Sequence, residues 1–283
     1  MIDRVYVEIG NICNLKCSFC PGTKRAPRQM TAEEFDIVCK RLIGYTENLY
    51  FHVMGEPLLH PKLGELLKIA EGYGYKVSIT TNGTLIHKAE EVLLENASAL
   101  HRISISLHAP EGNDRTDSVS EYLDRAITFA DKMSKKEVSV VYRLWNLDTD
   151  EKKGNNSQNE FILGRIREAY PEEWTKRYSG YRLAYRVFLE FDGIFTWPSE
   201  SCAEGREEGR CHAMSRQIAV LADGSVVPCC LDSEGEMHLG NIFDEELDGI
   251  LSSERAIKIS EGFRSRRLVH PLCKKCTYSR RFD

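Results

Sequence analysis

Long apolar runs and a secretion signal are both missing from this sequence. In 283 residues, of which 42% are hydrophobic, no stretch is long enough to span a bilayer. The N-terminus passes directly into the strand-like segment 4–9, without the apolar core of a signal peptide. These absences disfavour membrane-spanning and secreted proteins, and we expect a reducing, cytoplasmic location.

An excess of positive charge is missing as well. The formal net charge is -5, which argues against a general binder of nucleic acid or another polyanion. A local exception is the C-terminal segment, which contains Arg264, Arg266, Arg267, Lys274, Lys275, Arg280 and Arg281. We interpret these side chains as a solvated face, and a nucleic-acid site there is the alternative.

Cysteine, in contrast, is abundant, with ten residues. A disulfide framework is disfavoured, because such frameworks belong to small secreted domains. Cys13, Cys17 and Cys20 are spaced C-x3-C-x2-C just after the first strand pattern. Thiolates are the natural ligands of iron–sulfur clusters, and three of them leave one iron of a 4Fe-4S cluster open. A closed zinc site would need a fourth ligand beside them.

The triad, with Phe19 before its third cysteine, resembles the radical S-adenosylmethionine (SAM) superfamily. The resemblance implies that the open iron chelates the amino and carboxylate groups of SAM. It also implies that one electron from the cluster cleaves SAM to a 5'-deoxyadenosyl radical, which abstracts a hydrogen atom from the substrate. The electron would come from a donor such as flavodoxin or ferredoxin.

Strand and helix patterns alternate along the first two thirds of the chain, which predicts βα units and a parallel sheet. The strand patterns cover 4–9, 48–54, 75–80, 102–107, 138–145 and 183–191, and the helical patterns cover 32–43, 62–72, 84–95, 119–134 and 159–169. Thr31 and Glu34 form a predicted capping box. The polar segment 148–159 is predicted to be a mobile loop.

The strands alternate apolar and polar residues instead of being apolar throughout, as Val5 and Val7 beside Tyr6 and Glu8 illustrate. A parallel sheet keeps a polar face only where that face lines a cavity. We therefore predict an α/β fold in which residues 1–200 form an incompletely closed, TIM-like barrel with a polar lumen. The resemblance implies a partial (β/α)6 barrel, with catalytic groups at the carboxyl ends of its strands.

Several segments at these strand ends are candidates for SAM binding. Residues 55–57 resemble the Gly-Glu-Pro motif of the family, whose backbone receives the SAM amino group, and Gly55 would let that backbone approach a ligand. Ser106 is the favoured polar partner for SAM, and the guanidinium of Arg143 suits its carboxylate, although Arg143 could equally be structural. The full set of candidate SAM contacts is Phe19, Gly55, Glu56, Pro57, Asn82, Ser104, Ser106 and Arg143.

The last third of the chain, predicted to be a domain of residues 201–283, contains six cysteines. A predicted hairpin with an Asp-Gly turn covers 218–229, and an amphipathic helix is predicted over 245–259. This pattern resembles the SPASM and twitch domains of radical SAM enzymes, and the cysteine count favours twitch. The resemblance implies an auxiliary 4Fe-4S cluster held by Cys211, Cys229, Cys273 and Cys276.

Three points about these cysteines stay open. Zinc on the same four residues is the alternative to an auxiliary cluster, because a four-cysteine zinc site uses identical ligands. Cys230 could replace Cys229 or be a buried bystander. Cys39, inside the first predicted helix, is assigned to core packing.

The resemblance does not select a reaction. Oxidation, epimerisation and cross-linking of a peptide, a sugar or another small metabolite all stay open, as do an RNA-modifying enzyme and a non-catalytic redox protein that holds iron–sulfur clusters or zinc. Candidate catalytic residues are Cys202 as a hydrogen donor, or Glu190 or Asp192 as a base. Cys202 has an exposed loop position as its plain alternative. Because the first strand begins at Arg4, we expect no leader-peptide domain before it, which disfavours peptide maturation.

Overall fold

The computed structural model describes residues 2–110, 113, 119–147, 157–193, 197–198 and 205–282. The helices are α1 (Ala32–Arg41), α2 (Leu63–Gly72), α3 (Ile86–Glu95), α4 (Val119–Ser134), α5 (Ser157–Ala169), α6 (Leu247–Leu251), α7 (Glu254–Arg264) and α8 (Pro271–Lys274). The strands are β1 (Arg4–Val7), β2 (Asn48–Phe51), β3 (Lys76–Thr81), β4 (Leu100–Ser106), β5 (Ser139–Leu147), β6 (Thr175–Arg177), β7 (Gly180–Ala184), β8 (Val187–Gly193), β9 (Gln217–Val220), β10 (Ser225–Val227) and β11 (Gly240–Asn241).

The strands form one sheet of eleven strands in the order β11-β10-β9-β1-β2-β3-β4-β5-β8-β7-β6. The six strands β1 to β5 and β8 are parallel to one another, and helices connect β1 to β5 in the order βαβα. The α/β partial barrel predicted from the sequence is therefore confirmed.

The sequence predicts a single sixth strand over 183–191, but the structure has two strands there. The chain there makes an antiparallel hairpin of β7 and β8, with its turn at Tyr185 and Arg186. Arg186 has φ 56°, so the backbone reverses direction in the left-handed region at that residue. Only β8 belongs to the parallel set, because it pairs with β5.

Alternation along the strands separates the helix-covered core from the lumen. Val5 and Val7 are buried in the main core, together with Leu49 and Phe51 of β2. On the opposite face, Tyr6 packs in a smaller cluster with Val53, Ala219, Leu221 and Val227. The polar residues of the strands thus line the inside of the curved sheet, as their period of two predicts.

The cysteine-rich segment continues the barrel sheet. Strand β9 pairs in parallel with β1, with Val5 opposite Ile218, and β10 returns antiparallel to β9. One wall of the lumen is therefore built by residues from the last third of the chain. The predicted domain boundary at 200–201 lies outside the described residues and stays a prediction.

Local capping explains where two helical segments begin. The Thr31 hydroxyl accepts from the Glu34 amide at 3.2 Å, and the Glu34 carboxylate accepts from the Thr31 amide at 2.8 Å, as the predicted capping box requires. The single helix predicted over 245–259 is wrong, because the chain there forms α6 and α7. Ser253 divides them, since its hydroxyl accepts from the Ala256 amide and starts α7.

Two further expectations concern chain segments. Of the predicted loop 148–159, residues 148–156 lie outside the described residues, whereas 157–159 form the first turn of α5. Within the described part of the chain, no helix has both the length and the apolar composition needed to cross a membrane.

Candidate functional site

The three N-terminal cysteines lie on the loop that follows β1. Cys13 and Cys20 are exposed and Cys17 is half-buried. Each sulfur accepts a hydrogen bond: the amides of Leu15 and Gly22 reach Cys13 and Cys20 at 3.5 Å, and Asn113 Nδ2 reaches Cys17 at 3.1 Å. Burial raises the pKa of the Cys13 and Cys17 thiols, and these donors oppose that effect by favouring the thiolate, which is the form that binds iron.

The aromatic residue of the triad, Phe19, packs on the end of β4. Its ring lies 5.0 Å from the ring of His108, centroid to centroid. Burial lowers the pKa of His108 to about 4, so this ring is neutral at pH 7. Phe19 therefore anchors the cysteine loop on the barrel through an apolar contact, and the sequence did not indicate His108 as its partner.

Gly55 packs against the chain that enters the cysteine loop. It has φ +79°, and a Cβ there would overlap the Gly10 carbonyl oxygen and lie 2.9 Å from the carbonyl carbon of Asn11. The Glu56 amide donates to the Ile12 carbonyl at 2.9 Å. The sequence predicted close approach of a ligand at Gly55, whereas the structure shows close approach of backbone to backbone.

The carboxylate of Glu56 is buried and fully engaged by the protein. It accepts from the Leu58 amide at 3.0 Å, the Thr81 hydroxyl at 2.7 Å and the Asn82 amide at 2.7 Å. Pro57 begins the short 3-10 turn that this carboxylate caps. Glu56 thereby ties the end of β2 to the end of β3, so its side chain positions the site through the backbone.

Asn82 connects that pair of strands to the cysteine loop. Its amide nitrogen donates to the side-chain oxygen of Asn14 at 3.0 Å and lies 3.9 Å from the sulfur of Cys13. Its side-chain oxygen accepts from Thr84. Among the predicted SAM contacts, Phe19, Gly55 and Asn82 are thus brought together around the cysteine triad.

A buried ion pair, which the sequence did not predict, joins three segments at the carboxyl edge of the sheet. Glu8, at the end of β1, is fully buried and pairs with Arg25 at 2.6 Å. The same carboxylate accepts from the Met54 amide at 3.1 Å and from the Ala222 amide at 3.0 Å. Alternation along β1 indicated that Glu8 faces the polar side, but its partners lie far away in the sequence.

The remaining predicted contacts lie on β4 and β5. Ser104 is buried and Ser106 is half-buried, and both follow the lumen side of β4. Arg143 donates to the Thr80 hydroxyl at 3.3 Å, and its guanidinium lies 4.3 Å from the centre of the Trp145 ring. Burial lowers the pKa of Arg143 to about 10, which still leaves it charged at pH 7.

The two candidate bases are both paired with arginine. Glu190 faces the lumen beside Arg143 in the β5–β8 register and forms an ion pair with Arg102. Asp192 pairs with Arg281 near the C-terminus. Cys202 lies outside the described residues.

The four C-terminal cysteines converge on one cavity. Cys211, Cys229, Cys273 and Cys276 line it, together with apolar residues that include Leu231, Met237, Phe263, Leu268 and Leu272. Burial raises the pKa of the Cys211, Cys229 and Cys273 thiols. An apolar chamber that collects four thiols fits a buried iron–sulfur cluster.

Spacing of the thiols bears on the zinc alternative. Among the described residues, no three side chains of the types Cys, His, Asp and Glu come close enough to share a single metal ion. A 4Fe-4S cluster binds each thiolate at a different iron, so its ligands lie farther apart than ligands of one zinc ion. The four C-terminal cysteines offer the same ligand chemistry to a cluster and to a zinc ion.

Cys230 points away from the cavity that its neighbour lines. It packs beside Tyr6 and Tyr50 on the lumen side of the sheet. Burial raises the pKa of its thiol to about 11, so the group stays protonated at pH 7. The structure thus separates Cys229 from Cys230, a choice that the sequence left open.

The basic C-terminal segment has partners within the chain. Lys274 pairs with Glu207 at 2.6 Å, and Arg281 pairs with Asp192. Arg267 donates to the Ser265 hydroxyl. These contacts support the interpretation of this segment as a largely solvated face with internal partners.

Comparisons with known proteins match this geometry. Residues 7–152 match the family model of the radical SAM superfamily, and residues 211–277 match that of SPASM, an iron–sulfur cluster-binding domain. The GTP 3',8-cyclase of Chlorobaculum tepidum is 31% identical over 141 residues, which are 44% of this chain and 41% of the relative. The antilisterial bacteriocin subtilosin biosynthesis protein AlbA of Bacillus subtilis is 25% identical over 295 residues, covering 96% of this chain and 64% of the relative.

A solved structure shows the same fold. The crystal structure of BtrN in complex with AdoMet and 2-DOIA has a TM-score of 0.61 and 17% identity, and the match covers 98% of this chain and 93% of that one. The chain spans about half the length of the curated relatives that it matches. Its two matched domains make it an enzyme with 4Fe-4S clusters and SAM as cofactors. The chain belongs to the radical SAM superfamily.

Proposed function

We propose that this enzyme oxidises an unactivated C–H bond of a substrate held in the barrel lumen. In this proposal Cys13, Cys17 and Cys20 hold the cluster that binds SAM, and Cys211, Cys229, Cys273 and Cys276 hold the auxiliary cluster. When bound, these cofactors supply a 5'-deoxyadenosyl radical that removes a substrate hydrogen atom and an acceptor for the second electron. We expect flavodoxin or ferredoxin to supply the reducing electron, in the cytoplasm.

The observation that carries this proposal is the position of the lumen between the two cysteine sets. At the carboxyl edge of the sheet, β3 ends beside the Cys13 loop. Asn82, which follows β3, contacts Cys13 and Asn14 of that loop. At the other side, Tyr278 lines the four-cysteine cavity. Cys229 lines the same cavity, and its neighbour Cys230 packs against the lumen-side cluster that contains Tyr6. A substrate in the lumen would therefore lie near both cofactors.

Oxidation needs a base, and Glu190 is a carboxylate that faces the lumen. Loss of the second electron from a carbon radical releases a proton, which a nearby carboxylate can accept. Arg102 holds Glu190 in one orientation through their ion pair. Asp192 is the second candidate, although its ion pair with Arg281 draws it toward the C-terminal segment.

The similar proteins support two substrate classes, a peptide and a small metabolite. AlbA, whose match covers 96% of this chain, takes part in bacteriocin biosynthesis, and BtrN was solved with the small molecule 2-DOIA. Both sizes are compatible with a barrel that is open at its carboxyl edge.

Metal content is the first expected result. Anaerobically reconstituted protein should contain about eight irons and about eight sulfides per chain if both sites hold 4Fe-4S clusters. Joint replacement of Cys13, Cys17 and Cys20 by alanine should leave about half, as measured by iron and sulfide assays. Four irons and one zinc in the unchanged protein would contradict the auxiliary cluster while leaving the SAM site intact.

Deuterium transfer tests hydrogen abstraction. Extracts of cells grown in D2O supply metabolites and peptides with C–D bonds, and mass spectrometry of the 5'-deoxyadenosine formed with them shows whether deuterium is gained. We expect Glu190→Gln to keep this transfer but to slow substrate consumption about a hundredfold, because only the base is removed. The control is Asp192→Asn, which should leave consumption close to normal.

The opposite result for the two variants would assign the base to Asp192. If both variants react normally, oxidation with a carboxylate base is wrong.

Epimerisation is the second candidate function, and the lumen position of Cys230 favours it. A redox-neutral epimerase needs a thiol that returns a hydrogen atom, and Cys230 lies in the lumen beside Tyr6. Cys202 stays the donor predicted from the sequence. Under oxidation, Cys230→Ala and Cys202→Ala keep full product formation. Under epimerisation, the variant that lacks the donor forms 5'-deoxyadenosine without product.

A further inference from the structure

Three arginine side chains bring positive charge to the lumen, and only one of them has a carboxylate partner among the described residues. Arg4 of β1, Arg102 of β4 and Arg143 of β5 all face it. Glu190 forms an ion pair with Arg102. Within the described part of the chain, no carboxylate lies at ion-pair distance from the guanidinium of Arg4 or of Arg143.

Buried donors without partners mark the same space. The Nε atoms of Arg4, Arg102 and Arg143 are buried and have no hydrogen-bond partner among the described residues, and neither has Nδ1 of His52. An unpaired buried polar group destabilises the fold, and a charged one does so more strongly. Four such atoms on β1, β4, β5 and the residue after β2 are explained together by a ligand that accepts hydrogen bonds.

The groups form one cluster around the His52 ring. This ring lies 4.9 Å from the Tyr6 ring and 6.2 Å from the Tyr50 ring, and the Arg4 guanidinium lies 5.9 Å from the Tyr50 ring centre. Burial first, and then the charges of Arg143 and Arg4, lower the pKa of His52 to about 3. Arg143 joins this cluster through Thr80, to which it donates a hydrogen bond at 3.3 Å. Thr80 follows Ile79, whose strand partner Phe51 directly precedes His52.

We propose that Arg4, His52 and Arg143 form a subsite for an anionic group of the substrate, a carboxylate or a phosphate. This inference rests on the proposed function, because it names the chemistry of the substrate that the lumen accepts. Two guanidiniums supply charge and paired donors, which planar oxyanions accept. The aromatic walls of Tyr6 and Tyr50 keep the site apart from bulk water, which strengthens the attraction.

The methionyl carboxylate of SAM is the other possible source of such an anion, and position along the strand decides between the two. Arg4 is the first residue of β1, and the cysteine loop follows the last residue of that strand. From Arg4 to Glu8 the chain advances by about 13 Å, at about 3.3 Å per residue. Arg4 lies well below the cluster edge, where SAM would bind, whereas Arg143 pairs with Ser106 near that edge. The position of Arg4 therefore assigns the subsite to the substrate, and competition with SAM tests the assignment of Arg143.

Binding of inorganic phosphate and of acetate tests this subsite. Calorimetric titrations would use protein loaded with both clusters and SAM, at constant ionic strength. We expect saturable binding of at least one of the two anions, weakened at least tenfold in Arg4→Gln and in Arg143→Gln. The matched control is Arg167→Gln, since Arg167 is exposed on α5, where it stacks on Trp174, and its loss should change nothing.

Arg4→Lys and Arg143→Lys show whether loss of charge or misfolding weakens anion binding in the glutamine variants. Each lysine variant keeps the charge and should retain part of the binding. Absence of saturable binding, or equal weakening in Arg167→Gln, would overturn the inference. Competition between the anion and SAM would assign the site to SAM and overturn it as well. Because 5'-deoxyadenosine formation is measured separately, an enzyme that cleaves SAM but binds no anion refutes only the subsite.

Discussion

Cys17→Ala is expected to abolish 5'-deoxyadenosine formation by the reduced, SAM-loaded protein. The triad supplies only three thiolates, so loss of one leaves two irons of the cluster without a protein ligand. Cys17 is the half-buried member, and Asn113 holds its sulfur at 3.1 Å. We therefore expect turnover to fall to the background of the apoprotein, as measured by chromatography of 5'-deoxyadenosine and methionine.

The matched control is Cys39→Ala, which removes a thiol of the same size from a different place. Cys39 is fully buried in α1 and packs in the main core, away from the cysteine loop. This variant should lose some stability and keep its SAM cleavage. Activity retained in Cys17→Ala would show that the N-terminal triad is not the SAM site.

Gly55→Ala is expected to disrupt the cluster edge. A positive φ costs an alanine about 1–2 kcal/mol relative to glycine. The new methyl group would also overlap the Gly10 carbonyl oxygen, which belongs to backbone and cannot rotate away. Overpacking of this kind adds about 1–3 kcal/mol. We expect a clear fall in the midpoint of denaturation and loss of iron from the N-terminal site.

Gly44 offers a control that isolates the backbone effect. It has φ +82°, close to that of Gly55, but a Cβ at Gly44 would meet no atom within 4 Å. Gly44→Ala should therefore show only the cost of the left-handed backbone and keep full iron content. Equal destabilisation in the two variants would mean that contact with Gly10 contributes nothing.

Much of the fold could be predicted from the sequence because its signals are local. Alternation of Val5, Tyr6 and Val7 reports a strand with two different faces, and this signal does not depend on the neighbouring strands. The Thr31 capping box is equally local. The hairpin of β7 and β8 escaped prediction because its turn, at Tyr185 and Arg186, lacks the glycine and asparagine that usually mark a reversal.

Roles within the site were harder to predict than the identity of its residues. The resemblance assigns the Gly-Glu-Pro segment to SAM binding, yet the Glu56 carboxylate accepts hydrogen bonds from Leu58, Thr81 and Asn82 of the protein itself. The partners of Glu8 are missing from any sequence pattern, since only the tertiary fold brings Arg25 and Ala222 to it. Hydrogen bonds over such separations depend on packing.

The cysteines show the same division between sequence and structure. The sequence by itself indicated two sets of thiols. The C-x3-C-x2-C spacing, a local property, defines the set on the loop after β1, and the resemblance to SPASM and twitch domains implies the set in the last third of the chain. Only the tertiary structure decided that Cys229 faces the four-cysteine cavity while Cys230 faces the lumen. Both cysteines lie in the turn that follows β10. The pairing of β10 with β9, and of β9 with β1, places that turn between the cavity and the lumen.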